Sequence, residues 1–117
     1  VRRVLVVDDN IDAAESIGKI LKLFGHEVRC EYDGQSALAA AREYAPDVVV
    51  LDIGLPGMDG YEVARRLRAE DGSRRVRIVA VTGYGQAEDR ARSRESGFDQ
   101  HLTKPVDPEA LQAFVSA

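Results

Sequence analysis

Three stretches of this chain, Val4 to Val7, Val48 to Leu51 and Ile78 to Val81, are four consecutive apolar residues with no polar residue between them. A strand with one wet face alternates apolar and polar residues, so unbroken runs of this length predict strands covered on both faces. Such strands need a layer of helices on each side of their sheet, and the intervening sequence supplies them. A first helix carries Ala14, Ile17, Leu21 and Phe24 on one stripe and stops at Gly25, a residue suited to the left-handed C-terminal position. A second spans about Ser36 to Ala45 and is stopped by Pro46. A third starts after Asp59, a fourth covers about Gln86 to Gly97, and a last one begins with Asp107 as cap and Pro108 in the first turn.

Two further segments, Val28 to Tyr32 and Asp99 to Thr103, alternate and predict edge strands. Five strands alternating with five helices make a doubly wound α/β fold with a parallel sheet. The three apolar strands take the centre, which the order 2-1-3-4-5 of the flavodoxin-like folds satisfies; its ligand crevice opens at the carboxyl ends of strands one and three.

Composition narrows the function. With 117 residues there is room for one domain, and no repeat, low-complexity stretch or linker divides it. The net charge of -4 removes the general attraction to nucleic-acid phosphate. No apolar run approaches the ~20 residues needed to cross a bilayer. The one cysteine, Cys30, fits a reducing, cytoplasmic compartment and the pattern Val28, Cys30, Tyr32 reads it as a small buried hydrophobe. His26, just after Gly25, reads as a plain surface residue. The chain opens on Val1 with Met58 as its only methionine, so residues 1–117 are expected to be one domain cut from a longer protein. Among 16 basic residues only three are lysine, which singles out any Lys at a special position.

The expected strand ends carry such a position. Strand one ends in Asp8 and Asp9, strand three in Asp52, strand four in Thr82 and strand five in Lys104. Adjacent strands lie ~4.8 Å apart, so the three carboxylates can converge, while Lys104, two strands or ~10 Å from Asp52, needs its long flexible stem. Carboxylates within ~5 Å repel by roughly 3 kcal/mol per pair at an effective dielectric near 20. Lys104 relieves one charge, and an all-oxygen site without His or Cys favours Mg²⁺ over Zn²⁺ as the remaining complement. The bland alternative is that Asp8 and Asp9 merely cap the first helix, which explains neither Asp52 nor Lys104.

Together these residues resemble the receiver domains of two-component response regulators, of the chemotaxis-regulator type. The likeness covers almost the whole chain: VLVVDDN at 4–10, VVVLDIGLPGMDG at 48–60, VAVTGYG at 79–85 and HLTKPVDPEAL at 101–111. It implies that Asp52 attacks a phosphohistidine on a histidine kinase or histidine phosphotransfer domain and becomes an acyl phosphate, a covalent step with an aspartate nucleophile. It implies Mg²⁺, with Mn²⁺ as a substitute, held directly by Asp9, Asp52 and the Gly54 carbonyl and by Asp8 through water, offsetting phosphoryl charge. Lys104 would pair with the phosphoryl group, and its peptide bond to Pro105 is expected to be cis. Thr82 would move in to hydrogen-bond the phosphoryl group. The coupled aromatic residue of the family is replaced here by His101, which leaves a plain edge-strand histidine with no switching role as the other reading.

The predicted helix over Gln86 to Gly97 has little apolar content beyond Ala87 and Ala91, so it is weakly anchored and suited to shifting with the switch, unless it is simply a solvated helix. The family's output face is made by the last two helices and strand five. Tyr84 and Gly54 resemble positions that tune acyl-phosphate lifetime, a ring at 84 shielding the phosphate. The Thr82–Gly85 and His101–Pro105 segments look more like receivers fused to sensor histidine kinases than like those joined to DNA-binding domains. The resemblance implies a domain that catalyses its own phosphorylation and dephosphorylation without being an independent turnover enzyme, signalling to a downstream or fused partner and touching neither nucleic acid nor membrane itself. The alternative is a phosphorylation-independent pseudo-receiver that binds proteins, against which stands the complete set Asp8, Asp9, Asp52, Thr82 and Lys104. A haloacid-dehalogenase-like phosphatase would need Asp-x-Asp where this chain has Asp8, Asp9, Asn10, and a dinucleotide fingerprint at Gly83 lacks its third glycine, Glu88 standing there.

Overall fold

In the computed structural model the three apolar runs lie side by side as the middle of a five-stranded parallel sheet; residues 2–71, 76–83 and 95–117 are described. The strands are β1 (Arg3–Val7), β2 (Glu27–Glu31), β3 (Val48–Asp52), β4 (Arg77–Thr82) and β5 (Gln100–Thr103), in the order β2-β1-β3-β4-β5. The described helices are α1 (Ile11–Leu23), α2 (Gly34–Tyr44), α3 (Gly60–Asp71) and α4 (Pro108–Ser116). Every residue of β3 is buried, as are the last four of β1 and the last five of β4, whereas β2 and β5 are half-exposed edges. That is the division of centre and edge expected from the unbroken and alternating runs.

Strand alternation sorts the apolar side chains into two cores. Leu5, Val7, Val49, Leu51, Ile78 and Ala80 face α2 and α3 on one side, packing with Leu38, Val63 and Leu67. Val4, Val6, Val48, Val50, Val79 and Val81 face the other, with Ala14, Ile17 and Leu21 of α1 and Leu111 and Phe114 of α4. The radius of gyration is 12.6 Å, against roughly 13 Å for a single domain of this length. No helix among the described residues is long and apolar enough to cross a membrane.

Several local expectations change. Phe24 is not on the buried stripe of α1: the helix ends at Leu23, and Phe24 is its C-cap residue and exposed. Gly25 takes the positive φ of +90° that ends the helix. α2 begins two residues earlier than predicted because the Asp33 side chain accepts the Ser36 N–H at 2.7 Å. Cys30 is only half-buried, packed against the α1 side of the sheet with its Sγ 3.7 Å from the Ala14 carbonyl. His26 is a tie rather than a plain surface residue: Nδ1 accepts the Arg2 N–H at 3.1 Å, and Nε2 lies 2.8 Å from Gln112 Oε1 on α4. Tyr84 and all of the predicted helix over Gln86 to Gly97 except its last residues fall outside the described residues; Glu95 and Ser96 are helical and Gly97 follows at φ +100°.

Candidate active site

The carboxyl ends of β1 and β3 bring the predicted acidic residues together. Asp52 closes β3 opposite Val81, and Asp8 follows β1 directly, its N–H bonded to the Glu31 carbonyl at 3.2 Å. One carboxylate oxygen from each of Asp8, Asp9 and Asp52 lies within 4.8 Å of the others, with Asp8 and Asp52 buried and Asp9 exposed. Helix capping does not explain them. The cap of α1 is Asn10, whose Oδ1 accepts the Ala13 N–H at 3.0 Å, and Asp8 Oδ1 accepts the Asn10 N–H at 2.9 Å. One oxygen of Asp8 is thereby fixed and the other turned toward the site.

That second oxygen meets Lys104. Its Nζ donates to Asp8 Oδ2 at 2.7 Å and lies 3.8 Å from Asp52 Oδ2. The Lys104–Pro105 peptide is cis, as expected, and the Lys104 N–H donates to the Thr82 carbonyl at 2.8 Å, pinning the start of this turn to the end of β4. Thr82 itself is buried at the end of β4. Sequence reasoning placed Lys104 near the cluster but did not foresee that Asp8, rather than Asp52, holds it. Inter-strand spacing fixes reach, not which of two carboxylates an ammonium takes.

The loop after Asp52 shapes the rest. Asp52 Oδ1 accepts the Gly54 N–H at 3.0 Å. The loop then turns back so that Gly60 N–H meets the Ile53 carbonyl at 3.2 Å, while Asp59 caps α3 through the Glu62 N–H at 3.0 Å. Gly60 is forced by space: a methyl there would lie 2.5 Å from Ile53 Cα and 2.7 Å from the Asp52 carbonyl oxygen. Its role was visible in the sequence only as a letter of the 52–60 motif.

Burial raises the Asp52 carboxyl above the ordinary carboxylate range; the charge of Asp8 adds to this, and the Gly54 N–H and Lys104 oppose it. Burial alone would weaken the charge on Lys104, but its hydrogen bond to Asp8 and the charges of Asp52, Asp8 and Asp9 outweigh it and raise its pKa. Three carboxylates and one ammonium leave two negative charges in an all-oxygen pocket, which fits a hard divalent cation. Around the periphery, His101 on β5 lies on the α2–α3 side of the sheet, paired with Ala80, its ring 6.0 Å from that of Phe98, which meets Tyr61 edge-on at 5.9 Å.

A family model described as the response regulator receiver domain matches residues 4–116. The chain belongs to the response regulator receiver family. It is a phospho-accepting domain of two-component signalling. This receiver is 42% identical over 116 residues to the DNA-binding response regulator MtrA of Mycobacterium tuberculosis, covering 99% of this chain and 50% of that protein. It is 34% identical to the DNA-binding dual master transcriptional regulator RpaA of a Synechocystis strain, over 98% of this chain and 48% of that protein. It spans about half the length of these curated relatives. Among solved structures, the chemotaxis protein CheY4 of Vibrio cholerae superimposes with a TM-score of 0.89 at 30% identity, covering 97% of this receiver and 95% of that chain. NtrX from Brucella abortus, in complex with ADP, gives 0.87 at 31% identity over 97% of this receiver and 26% of that chain. The two curated relatives are DNA-binding regulators by name; the sensor-kinase parent expected from the Thr82–Gly85 and His101–Pro105 segments is not what those names describe. Receiver domains in general use Mg²⁺ and take their phosphoryl group from histidine kinases, and this one carries an acidic cluster at the corresponding strand ends.

Proposed function

We propose that Asp52 is the phosphoacceptor of this receiver and that Lys104 and Thr82 are the groups that act on the transferred phosphoryl. The observation that carries the reading is the convergence of three carboxylates within 4.8 Å around one ammonium, at the ends of β1, β3 and β5. In the reaction a carboxylate oxygen of Asp52 forms a bond to phosphorus as the P–N bond to the donor imidazole breaks; with a proton already on its other ring nitrogen the imidazole leaves as a neutral histidine, and an acyl phosphate remains on Asp52. The Gly54 N–H fixes one carboxylate oxygen, so the other, Oδ2, which faces Lys104, is the attacking atom. Lys104 stands within reach of both the carboxylate and the arriving phosphoryl oxygens, and Thr82 contributes a hydroxyl from the end of β4.

Asp8, Asp9 and Asp52, with the Gly54 carbonyl, would hold Mg²⁺, or Mn²⁺ in its place. When bound, the ion offsets the negative charge that gathers on the phosphoryl oxygens. Phosphorylation adds about -1.5 to -2 charges and three acceptor oxygens, and Lys104, 3.8 Å from Asp52, is the cation among the described residues placed to turn from Asp8 toward them. In this reading His101, on β5 against Phe98, and Pro105, next to Lys104, are the residues that tune the switch. The phosphodonor is a histidine kinase or a histidine phosphotransfer domain, and the output lies in a downstream protein or in a further domain of a longer regulator of which residues 1–117 are the receiver, a reading the doubled length of the relatives supports. The working compartment is the cytoplasm.

Incubation with acetyl phosphate and Mg²⁺ followed by intact-mass measurement tests the assignment. The unaltered chain gains the mass of one phosphoryl group and Asp52→Asn gains none. Labelling of Asp52→Asn to the same extent removes Asp52 from the role.

A further inference from the structure

The loop that carries Gly54 to Asp52 is anchored at a point the chemistry does not name. Between Gly54 and Gly60 the chain puts two side chains down into the α2–α3 core: Leu55, which is buried, and Met58, which is half-buried against it. Met58 rests where α2 begins, over Gly34. A methyl built on Gly34 would stand 3.0 Å from Met58 Cβ, 3.0 Å from Val63 Cγ2 and 3.2 Å from the Met58 carbonyl oxygen. Gly34 has an ordinary φ, and Asp33 already supplies the helix cap, so neither backbone freedom nor capping asks for glycine here. Space for Met58 does.

We infer that Gly34 is a positioning residue for the phosphoryl-transfer reaction: the notch left by its missing side chain seats Met58 and so holds the 53–59 loop at the height where the Gly54 N–H reaches Asp52 Oδ1. The far end of the loop is anchored, because the Gly60 N–H donates to the Ile53 carbonyl at 3.2 Å and Gly60 packs closely on the Asp52 carbonyl and the Ile53 backbone. A methyl at residue 34 therefore lifts the middle of the loop by a few tenths of an ångström, and the Gly54 hydrogen bond lengthens. The inference rests on Asp52 being the acceptor.

The test is the rate of labelling by acetyl phosphate together with the amide resonance of Gly54 in a ¹H–¹⁵N spectrum. Gly34→Ala is expected to label about 3–10-fold more slowly, in line with the steep cost of small misplacements at a reacting group, and to move the Gly54 amide upfield as its hydrogen bond to the carboxylate weakens. Val63→Ala, added to Gly34→Ala, relieves the contact with α3 but not with Met58, so labelling stays slow in the double variant. Met58→Ala, which keeps the backbone of the loop but removes its anchor, is expected to slow labelling and shift the Gly54 amide in the same way. An unchanged rate in Gly34→Ala or Met58→Ala, or full recovery with Val63→Ala, overturns the inference. Absence of labelling at Asp52 in the unaltered chain would instead overturn the acceptor assignment, so the two failures are distinguishable.

Discussion

Asp52→Asn is expected to make the protein more stable while removing its reaction. Asp52 and Asp8 carry like charges within 4.8 Å, a repulsion of about 3.5 kcal/mol at an effective dielectric near 20. Lys104, 3.8 Å from Asp52, offers an attraction of about 4 kcal/mol on the same scale. The two nearly cancel; exposed Asp9, also within 4.8 Å, adds a solvent-screened repulsion, and it acts in the same direction as the burial of the Asp52 carboxylate, 6% exposed, against which stands one hydrogen bond from the Gly54 N–H. Asparagine keeps that bond through its own Oδ1 and carries no charge to desolvate, so about 1–3 kcal/mol is recovered at neutral pH. For a domain of this size that is roughly 4–12 °C in Tm. The pH dependence follows from the sign of the shift. The folded-state pKa of Asp52 is raised above its unfolded value, so its favourable contribution is present below the unfolded pKa and is lost as pH rises through the folded one. The advantage of Asp52→Asn is therefore absent near pH 3 and grows through the acidic range to a plateau by neutrality. Differential scanning calorimetry between pH 3 and pH 8 (roughly the range that spans the carboxyl titrations) reads it directly. A Tm for Asp52→Asn at or below that of the unaltered chain at neutral pH, or a difference that does not vary with pH, refutes the reasoning.

Gly60→Ala puts a methyl 2.5 Å from Ile53 Cα, so backbone must shift, and is expected to cost about 1–3 kcal/mol in urea unfolding and to slow labelling of Asp52; an unchanged urea midpoint contradicts it. Lys104→Met leaves the buried Asp8 carboxylate without its partner at 2.7 Å, so stability falls by about 1–3 kcal/mol, less than for a fully buried pair because Lys104 is 29% exposed, and millimolar Mg²⁺ restores more of it than in the unaltered chain. Equal Mg²⁺ dependence of Tm in the two proteins counts against that. From its likeness to lifetime-tuning positions of the family, Tyr84→Ala is expected to shorten the acyl-phosphate lifetime, and an equal or longer decay time in Mg²⁺ argues against that role.

Much of the architecture is written in local sequence. Unbroken apolar runs such as Val48 to Leu51, short and rich in β-branched residues, read as strands wetted on neither face, and that property places β1, β3 and β4 in the centre of the sheet. Once the order is set, the residues at the carboxyl ends follow, and Asp8, Asp9, Asp52 and Lys104 do converge there, with Thr82 at the end of the neighbouring strand. What stayed hidden is pairing over long separations. Nothing near His26 points to Gln112, 86 residues on, and nothing near Lys104 says that Asp8 rather than Asp52 holds its ammonium. Gly60 reads only as a letter of the 48–60 motif and Gly34 carries no signal at all, until three-dimensional contact shows how closely each packs on the 52–59 segment. Phe24 misled because helical spacing continues past Leu23, although the chain leaves the helix there to reach Gly25 at positive φ.

The assignment of Asp52 is tested most directly by locating the phosphoryl group on the chain. After labelling with a phosphorylated histidine donor and Mg²⁺, borohydride reduces an aspartyl phosphate to homoserine, and peptide mass spectrometry finds the position. Homoserine at residue 52 and at no other acidic residue is the expected result. Homoserine at Asp8, Asp9 or Asp59 instead, or none anywhere on a chain that has gained phosphoryl mass, would contradict the account.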